Sequence, residues 1–173
     1  FRNLLLIIAT IIISLLVINR IYLINFVNDD FKIVYNQSKL LFKDGISPYG
    51  NNSKEYISQI ADEEGWTFQK DYKNLGNPIF QYFILYPFRL IENYAWSQAV
   101  FITFNQICVI LSAHMLFSLL KIKPKIQEIL LISIISSFVF FAIFPLMSSN
   151  VSGIQLVLCV GVLYFSERKN TII

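Results

Sequence analysis

The chain has 173 residues, of which 55% are hydrophobic and 16% aromatic, and its mean hydropathy is +0.59. A composition this apolar excludes an ordinary soluble domain and predicts a membrane protein. The net charge of +3 is small, and the basic residues form no stripe interleaved with aromatic residues, so nucleic acid is not an expected partner.

Four apolar segments are candidates for membrane-spanning helices. The first, about 4–24, has the roughly 20 residues that a helix needs to cross a hydrocarbon core of about 30 Å. The others cover about 95–120, 126–146 and 151–166. We therefore predict an all-α integral membrane protein with four transmembrane helices. Because the chain starts with Phe1 and its last residues resemble a connection, we expect residues 1–173 to be the amino-terminal part of one longer polytopic domain.

The basic residues predict the orientation of these helices. With four crossings, the positive-inside rule places the connections that carry Lys and Arg on the cytoplasmic side. These residues are Arg2, Lys121, Lys123, Lys125, Arg168 and Lys169. The large first loop, about 25–94, is then extracytoplasmic.

This outer loop is expected to contain three amphipathic interfacial helices, at about 30–44, 54–64 and 78–91. In the first, apolar residues recur at helical spacing, with Asn36 and several lysines on the opposite side and Gly45 as a stop signal. Asn52 or Ser53 is the expected cap of the second. The third is apolar, but it spans only about 20 Å as a helix, and Pro87 interrupts its hydrogen bonds. We therefore expect it to lie in the outer interface rather than to cross.

Two adjacent carboxylates, Asp29 and Asp30, lie where the first crossing leaves the membrane. Carboxylates at a helix N-terminus are stabilised by the macrodipole and often cap it, which is the ordinary interpretation of this pair. The functional interpretation is a general base that deprotonates a hydroxyl acceptor at the membrane surface. No metal-ligand cluster, phosphate-binding glycine loop or nucleophile motif occurs in the sequence, so neither a metal nor a cofactor is expected.

Several short motifs then follow one another along the chain. An Asp-Phe pair opens the first surface helix, a Gly-x-x-Pro-Tyr element follows it, and after an apolar stretch come a helix with Trp and Asn and a Gly-x-Gln element. The Asp-Phe pair is Asp30 and Phe31, and the Gly-x-x-Pro-Tyr element runs from Leu41 or Phe42 through Gly45 to Pro48 and Tyr49. The apolar stretch is matched at the 77–80 segment. The helix contains Trp96 and Asn105, and the last element is Gly153 with Gln155.

This order resembles the amino-terminal part of the GT-C glycosyltransferases, and most closely family 87, the polyprenyl-phosphate-mannose-dependent mannosyltransferase-like group. The chain departs from that family in two places. Asn77 and Pro78 replace a Tyr-Pro pair, and Ile154 separates a Gly and a Gln that are adjacent in the family.

The resemblance implies transfer of a sugar, with mannose as the family's example, from a polyprenyl-phosphate donor to a hydroxyl on a glycan or lipid-linked acceptor. It implies a hexosyltransferase of the cell envelope, in a bacterial plasma membrane, acting on the extracytoplasmic side. Asp30 matches the family's acidic position and is the expected catalytic base, with Asp29 as second choice. The expected substrate-binding residues are Lys32, Lys73, Arg89 and Gln155.

The alternative from another class is a non-enzymatic membrane protein, such as a transporter or flippase subunit or an assembly scaffold. A transporter is expected to carry ionisable residues near the bilayer midplane. Only His114 meets that condition. A histidine in such a position is more commonly neutral and hydrogen-bonded to a neighbouring helix.

Overall fold

The computed structural model describes residues 2–24, 29–64, 79–123, 125, 128, 131 and 152–170. Within them the chain forms six α-helices and no strands, which confirms the all-α prediction for this part. The helices are α1 (Arg2–Ile24), α2 (Asp29–Lys43), α3 (Asn51–Glu64), α4 (Ile79–Arg89), α5 (Tyr94–Leu119) and α6 (Ser152–Asn170). The chain divides into two compact units, Phe1–Phe101 and Ile102–Ile173, and each is described by itself.

One helix within the described residues is long and apolar enough to cross a bilayer. This helix is α5, whose 26 residues span about 39 Å at about 1.5 Å per residue. Two shorter apolar segments, Ile11–Ile21 and Gly153–Glu167, lie within α1 and α6. The four crossings and the outer loop therefore remain predictions, and most of the predicted 126–146 helix lies outside the described residues.

Helix α2 is the central element of the first unit, because it packs against both α3 and α4. Phe31, Val34, Gln37 and Leu40 are each at most 2% exposed, so α2 is enclosed on several sides. The predicted polar face of this helix is wrong at Asn36, which is buried and donates from Nδ2 to the Lys32 carbonyl oxygen at 3.1 Å. The neighbouring helices cover a surface that helical spacing alone assigned to solvent.

Helix α3 begins three residues earlier than predicted, at Asn51, so Asn52 and Ser53 lie in its first turn rather than capping it. The Ser53 amide donates to the Gly50 carbonyl oxygen at 3.1 Å. The Ser53 hydroxyl is fully buried and accepts a hydrogen bond from Gln37 Nε2 at 3.4 Å. Ser53 thus joins α3 to α2, which is why it does not serve as the cap.

The end of α4 is held against the start of α5. Pro87 lies within the last turn of α4, and the Leu90 amide donates to its carbonyl oxygen at 3.3 Å. Asn93 caps α5, since its Oδ1 accepts from the Trp96 amide at 3.1 Å. The Ser97 hydroxyl then donates to the Phe88 carbonyl oxygen at 2.7 Å. These bonds set the direction in which α5 leaves α4.

In the second unit, α5 ends in a Schellman motif. Lys121 adopts the left-handed region with φ of 55°, and the Ile122 amide donates to the Phe117 carbonyl oxygen at 2.9 Å. Lys121 and the two lysines that follow, Lys123 and Lys125, are exposed. A non-glycine residue at this position costs about 1–2 kcal/mol relative to its preferred conformations.

Candidate functional site

Two cationic side chains lie on the two rings of one aromatic pair in the first unit. Lys32 Nζ is 5.4 Å from the centre of the Tyr94 ring, and the Arg89 guanidinium carbon is 5.2 Å from the centre of the Tyr35 ring. The Tyr35 and Tyr94 rings meet edge to face, with centres 5.7 Å apart. We call these four residues the cation–aromatic cluster. Both cations are within the roughly 6 Å at which a ring face attracts a positive charge.

Three helices and one turn hold the cation–aromatic cluster in place. α2 contributes Lys32 and Tyr35, the end of α4 contributes Arg89, and the start of α5 contributes Tyr94. The Tyr35 hydroxyl donates to the Ile91 carbonyl oxygen at 3.0 Å, which joins α2 to the turn before α5. Because this bond links residues 56 positions apart, it fixes the cluster through tertiary structure rather than through one helix.

A group of aromatic rings around Phe31 packs against the cation–aromatic cluster. Phe31 is fully buried, and its ring centre lies 5.6 Å from that of Tyr94 and 5.4 Å from that of Phe101. Phe88 packs edge to face on Phe101 at 5.2 Å. Aromatic pairs of this kind contribute about 0.5–1.5 kcal/mol each beyond burial of their area. The two tyrosine rings that contact the cations are therefore held in place by aromatic packing.

Arg89 has a donor that none of the described residues satisfies. Its Nε is buried and has no hydrogen-bond partner among the described residues. A buried donor left without an acceptor costs about 1–3 kcal/mol, so such a group is suited to an oxygen that arrives with a ligand. Guanidinium groups bind carboxylate and phosphate oxygens through charge-assisted hydrogen bonds.

The predicted catalytic residues, Asp29 and Asp30, are the first two residues of α2. Their side chains lie outside the described part of the chain. Their backbone places them in the first turn of the helix that carries Lys32, where the macrodipole favours negative charge.

The four predicted substrate-binding residues divide into three groups. Lys32 and Arg89 are brought together through the cation–aromatic cluster. Lys73 lies outside the described residues. Gln155 is exposed on α6, in the second unit, and is not part of the cluster.

A second polar group, enclosed between α2, α3 and α4, is structural. The Tyr82 hydroxyl donates to Gln37 Oε1 at 3.0 Å, and Gln37 Nε2 donates to the Pro48 carbonyl oxygen at 3.1 Å and to the Ser53 hydroxyl. Gln37, Tyr82 and Ser53 are each fully buried. Because these donors and acceptors are paired with one another inside the unit, we interpret the network as stabilising the three helices rather than as binding a ligand.

The Asn105 and Gly153 motif positions meet within the second unit. A Cβ on Gly153 would lie 2.6 Å from the Asn105 carbonyl oxygen and 2.9 Å from its Oδ1. Only glycine allows α6 to approach α5 this closely. The two motif residues thus share one helix–helix contact, which the sequence did not predict.

Comparison with known proteins assigns no function to this site. No family model, curated protein or solved structure matches this chain. Within the described ranges, no three His, Cys, Asp or Glu side chains are grouped as metal ligands. The sequence did not single out Tyr35 and Tyr94, because the cations that their rings contact are distant in sequence.

Proposed function

We propose that this chain forms the amino-terminal part of a membrane glycosyltransferase that transfers a sugar from a polyprenyl-phosphate donor to a hydroxyl acceptor on the extracytoplasmic side. The observation that carries the proposal is the cation–aromatic cluster. Lys32 lies on the helix that begins with Asp29 and Asp30, and Arg89 contacts Tyr35 of the same helix. The motif order along the sequence and the contact between Asn105 and Gly153 also support it.

In the proposed reaction, the bond between the anomeric carbon of the sugar and the donor phosphate oxygen breaks. The phosphate oxygen keeps the bonding electrons and leaves as polyprenyl phosphate. The acceptor oxygen forms the new bond on the opposite face of the sugar, so that the configuration inverts. Its proton goes to the carboxylate of Asp30, which acts as general base, a role worth about 10²–10⁴-fold in rate. Asp29 is the second candidate for this base.

Lys32 and Arg89 have the proposed role of binding the donor phosphate. The Tyr94 and Tyr35 rings attract these cations and limit their motion, so less entropy is lost when an anion binds. The buried Nε of Arg89 gains the acceptor that the described residues do not provide. The negative charge that develops on the leaving phosphate is thereby stabilised.

The proposal is tested with full-length protein and a radiolabelled polyprenyl-phosphate sugar. We expect label to appear in a product that is no longer attached to the donor's phosphate. We expect Arg89→Gln to lower kcat/KM by about 10- to 100-fold, as loss of a charged hydrogen bond predicts. Lys54→Gln is the matched control, because Lys54 lies on α3 and outside the cluster.

Equal activity in Arg89→Gln and Lys54→Gln would remove the cation–aromatic cluster from the mechanism. Movement of the intact labelled lipid across the membrane, without cleavage of its sugar, would favour the transporter or flippase class instead.

A further inference from the structure

Helix α4 presents large apolar side chains away from the rest of its unit. Ile79 is 54% exposed and Phe83 is 59% exposed, and Leu90, just beyond the end of the helix, is 68% exposed. Phe80 and Tyr86 are also exposed. Residues 79, 83, 86 and 90 recur at spacings of three and four, so they lie on one side of the helix. We call these five residues the outer face of α4.

The opposite side of α4 is the more polar one. Gln81 and Tyr82 are buried with Leu85, and the Tyr82 hydroxyl donates to Gln37. A helix on the surface of a water-soluble domain has the reverse arrangement, with its apolar side inward. Contiguous exposed apolar residues on a protein surface mark sites of interaction with other proteins or with membranes.

Aromatic and basic residues border the outer face. Phe42, on α2, packs against Phe83 with ring centres 5.0 Å apart and against Tyr86 at 4.5 Å. The next residue, Lys43, is exposed. Aromatic rings beside lysine are the combination found where a protein meets the headgroup layer of a bilayer.

The start of α5 gives the level of that layer in the first unit. The Arg20 guanidinium carbon lies 5.7 Å from the centre of the Trp96 ring, so the last turn but one of α1 meets the first turn of α5. Arg and Trp are typical of the boundary between water and hydrocarbon. α4 ends only a few residues before α5 begins and is hydrogen-bonded to it through Ser97 and Phe88. The outer face of α4 is therefore close to this boundary.

We propose that the outer face of α4 inserts into the interfacial region of the bilayer and contacts lipid acyl chains there. With 11 residues, α4 is about 16 Å long, too short to cross a core of about 30 Å. The sequence had predicted a surface position for α2 as well. Because α2 is enclosed, the interfacial contact is assigned to α4 rather than to α2. The proposal does not depend on sugar transfer and is tested separately from it.

The test uses the full-length protein in vesicles of phosphatidylcholine with phosphatidylglycerol, with Cys108 and Cys159 replaced by alanine. A polarity-sensitive fluorophore is attached to a cysteine at one exposed position at a time. Phe83→Cys and Leu90→Cys report on the outer face, and Gln59→Cys, at an exposed position of α3, is the matched control. All three positions are exposed, so the attached label extends away from the buried core of the unit.

We expect the labels at 83 and 90 to emit at shorter wavelength than the label at 59. Iodide should quench them several-fold less, and lipids with a nitroxide near the headgroup should quench them several-fold more. Three results would overturn the proposal. These are iodide quenching equal to that at 59, protection from both quenchers, which indicates a covering protein, and strongest quenching by nitroxides at the acyl-chain end, which indicates a crossing.

Discussion

The close approach of α6 to α5 predicts that Gly153→Ala destabilises the second unit. The added methyl carbon would lie 2.6 Å from the Asn105 carbonyl oxygen, 3.2 Å from its carbonyl carbon and 2.9 Å from its Oδ1. Two of these atoms belong to the backbone of α5, so a side-chain rotation cannot relieve the contact. Overpacking of this kind costs about 1–3 kcal/mol.

Gly161→Ala is the matched control, because Gly161 lies on the same helix and a Cβ there meets no atom within 4 Å. Alanine favours a helix interior by up to about 1 kcal/mol over glycine, so this variant should be as stable as the wild type or more stable. The two identical substitutions should therefore differ by about 1–4 kcal/mol in free energy of unfolding.

The measurement is denaturant unfolding of the purified protein in detergent, followed by circular dichroism. Adding Asn105→Ala to Gly153→Ala should recover only part of the loss, since the nearest atom is the carbonyl oxygen that alanine retains. If Gly153→Ala and Gly161→Ala proved equally stable, the proposed contact between α5 and α6 would be refuted.

Three further predictions follow from other parts of the chain. Gln37→Leu should lower the free energy of unfolding by about 1–3 kcal/mol, because it removes the acceptor of the buried Tyr82 hydroxyl. The control Gln59→Leu, at an exposed position, should change it by less than about 0.5 kcal/mol. Equal losses in denaturant titration would contradict the proposed role of the buried network. Lys121→Gly should raise that free energy by about 1 kcal/mol, because glycine adopts the left-handed conformation without strain, and an unchanged unfolding midpoint would count against it. Single cysteines at Gln59 and Lys123 should react with an impermeant maleimide from opposite sides of sealed vesicles; reaction from one side would mean that the 78–91 segment crosses.

Helix positions were the most predictable part of the fold. The starts and ends of α2 and α5 lie within one residue of the predicted 30–44 and 95–120, since apolar spacing and the Gly45 stop are local signals. The start of α3 was missed because Ser53 hydrogen-bonds α2 instead of capping its own helix. The burial of Asn36 was missed because it depends on neighbours that are distant in sequence.

The candidate site was predictable only in its individual residues. Lys32 and Arg89 were singled out as cations, but their placement on Tyr94 and Tyr35 depends on the packing of α2 against α4 and the start of α5. No local pattern contains that information. The sequence also did not predict that the more polar side of α4 faces its unit, because a helix with apolar residues on both sides can pack with either side inward.

The most direct test of the central claim is the rate of sugar transfer by full-length Asp30→Asn and Asp29→Asn variants, measured with a radiolabelled polyprenyl-phosphate sugar. Asp44→Asn is the control, since Asp44 is an exposed carboxylate just beyond the other end of α2. The account predicts that Asp30→Asn lowers kcat by about 10²–10⁴-fold while Asp44→Asn leaves it unchanged. Near-wild-type turnover in both Asp30→Asn and Asp29→Asn would contradict the carboxylate mechanism.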